Sequence, residues 1–326
     1  MSSSDGIRQG IYQSGIVRKF TRWLDVSPHP LIACELTPAY CAAARWTHTG
    51  GLDDFAMEPI PDGAIAPTAV ETNLADPAAV RSAVGKVFER LHAKPQEIAL
   101  LVPDSVIRVF VLHFDSFPRK VADAIPMLRW RLKKSVPFEA EETLISFMRQ
   151  QPREDGVDIV TGLARLRIIR EYEMLIESVG MAPGVVVSST LAALPLLDDS
   201  RPALLVRVSG RALTTAIVRN GLLCGFRCIE LPVDLSGLSA RVLLDEIFPL
   251  AAYYQDSWQE GIARVCLAGL AGRLSEFVPV LESELNCTVS SLLSAAVAEG
   301  RIGPHARPLA ERELDALIGW DLNRGA

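Results

Sequence analysis

The stretch that most limits how this chain can fold is Ala203 to Cys224, ALLVRVSGRALTTAIVRNGLLC. It reads as strand, tight turn, strand. Ala203–Val208 is apolar and bounded by Ser209-Gly210, and Thr214–Val218 is apolar and β-branched. Asn220-Gly221 then signals a two-residue hairpin turn. Backbone amides at a Gly-containing turn after a buried strand can hold a phosphate. Yet the charged residue near the end of the first strand is Arg207, not a carboxylate.

A similar succession stands near the start: LIACELT (31–37), YCAAARWTH (40–48) and DFAMEPI (54–60). Asp76-Pro77 caps a helix whose apolar stripe is Val80, Val84, Val87, Phe88 and Leu91, and EIALLVP (97–103) is a buried strand. This β-β-β-α-β order describes an α/β domain with a mixed sheet. A different texture follows. SVIRVFVLHF (105–114) is a strand, and RKVADAIPMLRWRLKKS (119–135) is a basic helix that Pro126 should interrupt. VPFEAEETLISFMRQ (136–150) and DIVTGLARL (158–166) are strands, and Ile169–Val179 is a helix closed at Gly180.

Strand VVVS (185–188), a short helix and the hinge-like DDSRP (198–202) lead to the second half. There a long helix, Leu243–Gln259, should kink at Pro249. Strand RVCLAG (264–269), helix RLSEFVPVLESEL (273–285) and a terminal helix around Glu311–Leu322 complete the chain. The division is therefore a tail with a short basic amphipathic helix (1–28) and a first-lobe core (29–104). An inserted α+β subdomain (105–184) and a return to the core (185–200) follow, then a reduced second lobe (201–300) and the C-terminal helix (301–326). In the tail, Ile16, Val17, Phe20, Trp23 and Leu24 oppose Arg18, Lys19 and Arg22, more simply a helix packed on its own domain than a membrane contact.

Composition closes off other classes. No run approaches the roughly 20 apolar residues of a membrane span, and the N-terminus lacks an apolar export signal. A net charge of −6 over 326 residues argues against sequence-independent nucleic-acid binding. The six cysteines form no CxxC pair and the five histidines are dispersed, so no metal site is expected, and buried free thiols are. No nucleophile elbow, zinc-protease helix, Walker loop or dinucleotide-binding turn is present. Ser188, Ser189 and Thr190 read as a helix cap. No catalytic residue is assigned.

Four local matches, in order along the chain, carry a resemblance. They are DSVIRVFVLHFDSFPRKVADAIPMLRWRLKKSVPFEAEE, IESVGMAPGVVV, RVSGRALTTAIVRNG and VCLAGLAGRLSEFVPVLESELNCTV. The resemblance they carry extends over about nine-tenths of the chain, from about residue 30 to the end. The chain resembles the PilM-like type IV pilus assembly proteins, FtsA-related members of the actin-like ATPase superfamily. The resemblance implies an α/β, actin-like (ribonuclease H-like), two-lobed fold with a small α+β subdomain inserted in the first lobe.

It also implies where ATP would sit, and there the motifs are degenerate. Glu35-Leu36-Thr37 replaces the family's first DIG, so the acid survives but the glycine is lost, and Pro38 removes an amide. In the second lobe Arg207 replaces the acid and Ser209-Gly210 displaces the glycine. Ala268-Gly269-Leu270-Ala271-Gly272 replaces a near-continuous glycine run, and only Pro232–Arg241 separates the second-half hairpin from its helix. If a nucleotide binds, its contacts are Glu35, Thr37, Arg207, Gly210, Thr214, Gly269 and Gly272. Mg²⁺ prefers hard oxygen ligands, which an arginine opposes. Arg207 either touches a phosphate or pairs with a carboxylate. No ATP hydrolysis and at most weak ATP/Mg binding are expected.

The functional expectation is a non-enzymatic adaptor at the cytoplasmic face of the inner membrane. It would bind the cytoplasmic N-terminal tail of a PilN-like single-span protein, touching the membrane surface through that partner. Phe117, Arg129, Trp130, Lys133 and Phe138 are the candidate partner-binding residues, core packing being the competing role for the aromatic ones. An ATP-binding conformational switch in the same machinery is the alternative, and self-association or filament formation stays open.

Overall fold

The computed structural model describes residues 29–136, 142–270 and 272–324. The amphipathic tail segment, Phe138 and Ala271 lie outside them. Three sheets organise the described chain. The first is β1 (Ile32–Leu36), β2 (Tyr40–Trp46), β3 (Leu52–Pro59), β4 (Glu97–Val102) and β8 (Ala182–Ser188), in the order β3-β2-β1-β4-β8. The third strand-rich unit is β5 (Arg108–Phe114), β6 (Thr143–Arg149) and β7 (Val157–Arg165), ordered β5-β7-β6. The second large sheet, β9 (Ala203–Ser209), β10 (Ala212–Arg219), β11 (Leu222–Glu230), β12 (Arg264–Ala268) and β13 (Thr288–Ser291), repeats the first as β11-β10-β9-β12-β13. In both large sheets an antiparallel meander is extended by parallel strands. The Asn220-Gly221 turn forms with both residues at positive φ, as a two-residue hairpin between twisted strands needs.

Side-chain alternation assigns each strand face to its own core. Ile32, Cys34 and Leu36 pack under the helices Pro77–Arg90 and Leu166–Glu177, whereas Ala33 faces the other lobe. Leu204, Val206 and Val208 pack under the helices Ala240–Trp258 and Leu274–Leu285, whereas Ala203 and Leu205 face the first lobe. The inter-lobe core also takes in the short helix Ser189–Ala193 and the C-terminal helix Asp315–Arg324, with Trp320 buried. The inserted unit has a separate small core of Phe117, Ala124, Leu128 and Ile159. All six cysteines are free, and four of them are buried.

Several elements differ from their sequence expectations. The helix Val121–Leu132 runs unbroken through Pro126, and Ala240–Trp258 runs through Pro249. The strand expected over 136–150 is Thr143–Arg149. The terminal helix begins at Asp315, because Glu313 adopts a left-handed φ of 56° just before it. β13 and the helix Leu292–Ala298 after it had no separate signal in the sequence reading.

Candidate functional site

Alternation also decides what stands in the cleft. Ala33 faces the opposite lobe, so Glu35 does as well; Ala203 and Leu205 face it, so Arg207 follows. Ala216 and Val218 lie on that same face of β10, which brings Thr214 to it.

Arg207 is tied to both lobes and to the C-terminal helix. Its Nη2 donates to Glu35 Oε1 at 2.8 Å, and its Nε donates to Asp315 Oδ2 at 2.9 Å. Nη2 also donates to Asp315 Oδ1 at 3.2 Å, which makes the Asp315 contact two-pronged. Asp104 Oδ2 stands 3.9 Å from Nη1. That carboxylate accepts from the Thr190 amide at 2.9 Å, from Thr190 Oγ1 at 2.5 Å and from Thr214 Oγ1 at 3.0 Å. Tyr40 Oη donates to Glu35 Oε2 at 3.2 Å. Arg207, Glu35, Asp104 and Asp315 are each no more than 5% exposed.

Burial pushes the Glu35 carboxyl up, against the pull of Arg207. Burial works against the Arg207 cation, but Asp315, Glu35 and Asp104 outweigh it and hold the guanidinium well above its ordinary value. Burial, then Glu35, raises Tyr40. The cluster therefore keeps a permanent cation at its centre.

The loops around it are closed by protein. Thr37 ties its own turn, accepting from the Tyr40 amide at 3.0 Å. Gly210 sits at φ 59°, and a Cβ there would stand 3.3 Å from Pro38 Cγ, so the hairpin turns of the two lobes touch. At Gly269, φ 72°, a Cβ would overlap the Val208 carbonyl oxygen; the glycine lets its loop press on β9. Gly272 has open space around it. The cavity beside this loop, bounded by Gly269, Gly272, Ser291 and Asp315, measures about 30 Å³. Nucleotide-sized pockets run to about 300–1,000 Å³.

Mg²⁺ with a triphosphate needs oxygen ligands and room for water. Here the carboxylates surround a guanidinium that repels a divalent cation, and the residues do not fit that group. Of the seven nucleotide candidates, Glu35, Arg207 and Thr214 converge on one cluster. Thr37 and Gly210 lie in the touching turns, and Gly269 and Gly272 in the loop after β12. Asp104 and Asp315 were not singled out from sequence. Asp104 had a usable signal, a carboxylate just beyond an apolar parallel strand. Asp315 had none, since only the tertiary fold returns the terminal helix to the cleft.

A second feature lies where the inserted unit meets the first lobe. A cavity of about 70 Å³ is lined by Ile107, Ile125, Arg129, Leu144, Ile169 and Val186, among others. Arg129 Nε is buried, and no described residue accepts from it. Phe117 is in the core of the inserted unit, against Phe114 and Phe147. Trp130 is 77% exposed and does not line this cavity, and Lys133 is exposed.

The doubled sheet topology, with a small sheet inserted in the first lobe and a cleft between lobes, defines a two-lobed actin-like fold. No family model and no curated protein matches the chain. Among solved structures it is similar to a chain of the PilM-PilN type IV pilus biogenesis complex, with a TM-score of 0.69 at 15% identity, covering 91% of this chain and 98% of that one. It is also similar to the cytoplasmic domain of EpsL, an inner membrane component of the type II secretion system of Vibrio cholerae. That likeness has a TM-score of 0.47 at 11% identity and covers 83% and 94% of the two chains. A third is the ethanolamine utilization protein EutJ from Carboxydothermus hydrogenoformans, with TM-score 0.44, 12% identity, and 95% and 98% covered. Within the actin-like class, the fold of this chain is PilM-like; that statement stands on the first of these likenesses.

Proposed function

We propose that the chain is a non-enzymatic adaptor of a type IV pilus or related inner-membrane assembly. It works at the cytoplasmic face and holds the cytoplasmic N-terminal tail of a PilN-like bitopic protein. The observation that carries the reading is Arg207: its guanidinium fills the place where a nucleotide switch needs metal-binding oxygens, and ties both lobes together. The likeness in fold to a chain of the PilM-PilN complex supplies the class of partner. No helix of the described residues is long and apolar enough to cross a membrane.

The cavity beside Arg129 is the proposed seat of the tail. Its apolar walls take side-chain anchors, and Arg129 Nε donates to a carbonyl or carboxylate of the peptide. The test is titration with the cytoplasmic N-terminal tail peptide of a PilN-like bitopic protein. Binding is expected, weakened on the order of ten-fold in Arg129→Gln, since a hydrogen bond to a charged group contributes roughly 1.5–3 kcal/mol. Tight, Mg²⁺-dependent ATP binding by the unaltered chain in a parallel calorimetric titration would overturn the adaptor reading in favour of a switch.

A further inference from the structure

The helix Val121–Leu132 has a face that stays exposed among the described residues. Ala124, Leu128 and Leu132 bury one side of it. The opposite side carries Trp130, 77% exposed, and Met127, 36% exposed. The same helix and its two flanks carry the exposed cations Arg119, Lys120, Arg131, Lys133 and Lys134. None of these five forms an ion pair among the described residues. Glu142, the last acid of the EAEE run that could balance them, pairs with Arg165 instead, at 2.7 Å. Among the described residues the exposed acids beside them in sequence are Asp115 and Asp123; Glu139 and Glu141 lie outside the described residues. Among the described residues, positive charge is therefore concentrated here on a chain whose net charge is −6.

We propose that this face is a direct contact with an anionic lipid surface. The chemistry fits a bilayer interface. A tryptophan seats its ring at the headgroup level, and Lys and Arg stems extend along apolar surface while their charges reach lipid phosphates. Charge complementarity favours a membrane with anionic lipids over a neutral one. A protein partner is less well matched. A protein partner would have to bring a pocket shaped for Trp130, whereas a bilayer interface takes its ring without one. With a single tryptophan and five cations, the contact is weak and reversible. It gains strength when a membrane-anchored partner holds the chain nearby. The proposal does not depend on that partner, because lipid alone is its ligand.

The experiment is co-sedimentation of the full chain with phosphatidylglycerol-containing vesicles and with phosphatidylcholine vesicles, no partner present. Partition onto the anionic vesicles only is expected, with a blue shift of tryptophan emission that Trp130→Phe removes. Each cation near an anionic surface contributes about five-fold, so Lys133→Gln with Lys134→Gln should weaken partition on the order of twenty-fold. Both positions are exposed, and unchanged thermal unfolding of the variants would show that folding is intact. Three outcomes would overturn the proposal: no partition, equal partition onto both vesicle types, or variants that bind as the unaltered chain does. The last would move the contact to the basic segment Arg18–Arg22. Failure on vesicles with intact tail-peptide binding would instead assign the face to an acidic protein segment.

Discussion

Arg207 donates to Glu35 at 2.8 Å across the cleft, so a residue near the end of β9 in one lobe is bonded to the equivalent position of β1 in the other. In both sheets the residue pairs with the hairpin strand seven positions on, Glu35 with Ala42 and Arg207 with Thr214. Here the chain supplies both partners of the contact. Side chains of the two lobes thus join across the cleft.

Replacing Arg207 tests that joint. Arg207→Ala leaves Glu35 and Asp315 buried without their cation, and breaking one side of a buried ionic cluster costs about 3–5 kcal/mol. Urea unfolding is expected to show that loss. Adding Glu35→Gln to Arg207→Ala should recover part of it, because one stranded carboxylate is then neutral. A loss below about 1 kcal/mol would mean that the cluster does not hold the lobes.

Gly319 lies where the C-terminal helix crosses the helix Ser189–Ala193, and a Cβ there would overlap the Ala192 carbonyl oxygen. Gly319→Ala must push the two helices apart. A loss of about 1–3 kcal/mol by thermal or denaturant unfolding is expected, even though alanine favours a helix over glycine.

Gln150 acts as a short substitute for a paired strand. Its Nε2 donates to the Leu223 carbonyl at 2.9 Å and its Oε1 accepts from the Leu223 amide at 2.7 Å, both buried. This fixes the inserted unit to the second lobe. Gln150→Ala strands both backbone groups, with an expected loss of about 1–3 kcal/mol. Hydrogen exchange at the Leu223 amide should accelerate, and an unchanged rate would show that the bond does not protect it.

His113 gives the chain a local pH dependence. The hydrogen bond from its Nδ1 to Asp158, 2.8 Å long, raises it above its ordinary 6.5. A histidine raised on folding contributes stability that is fully present below pH 6.5 and is lost as pH climbs through the raised value. NMR titration should place His113 above 6.5, and Asp158→Asn should bring it back down. A value unchanged by Asp158→Asn would sink the assignment.

How much of this could be read from the residues themselves differs from element to element. Both hairpins, the inserted helix-and-strand unit and the presence of a cation near the end of β9 at position 207 were legible, because strand alternation, turn chemistry and residue type are local. The period of two even dictates that Glu35 shares a face with Ala33, and Arg207 with Leu205. The partners of Arg207 were not legible. Asp315 stands 108 residues further along the chain, and nothing near it in sequence marks it. Pro126 and Pro249 misled in the other direction, since each helix is packed along its buried face strongly enough to run on past its proline. Local chemistry thus determined the elements and the charges that stand near the ends of β1 and β9. Only tertiary packing decided that the cleft would be filled by an ion cluster, because burial and charge pairing act between groups that the chain brings together last.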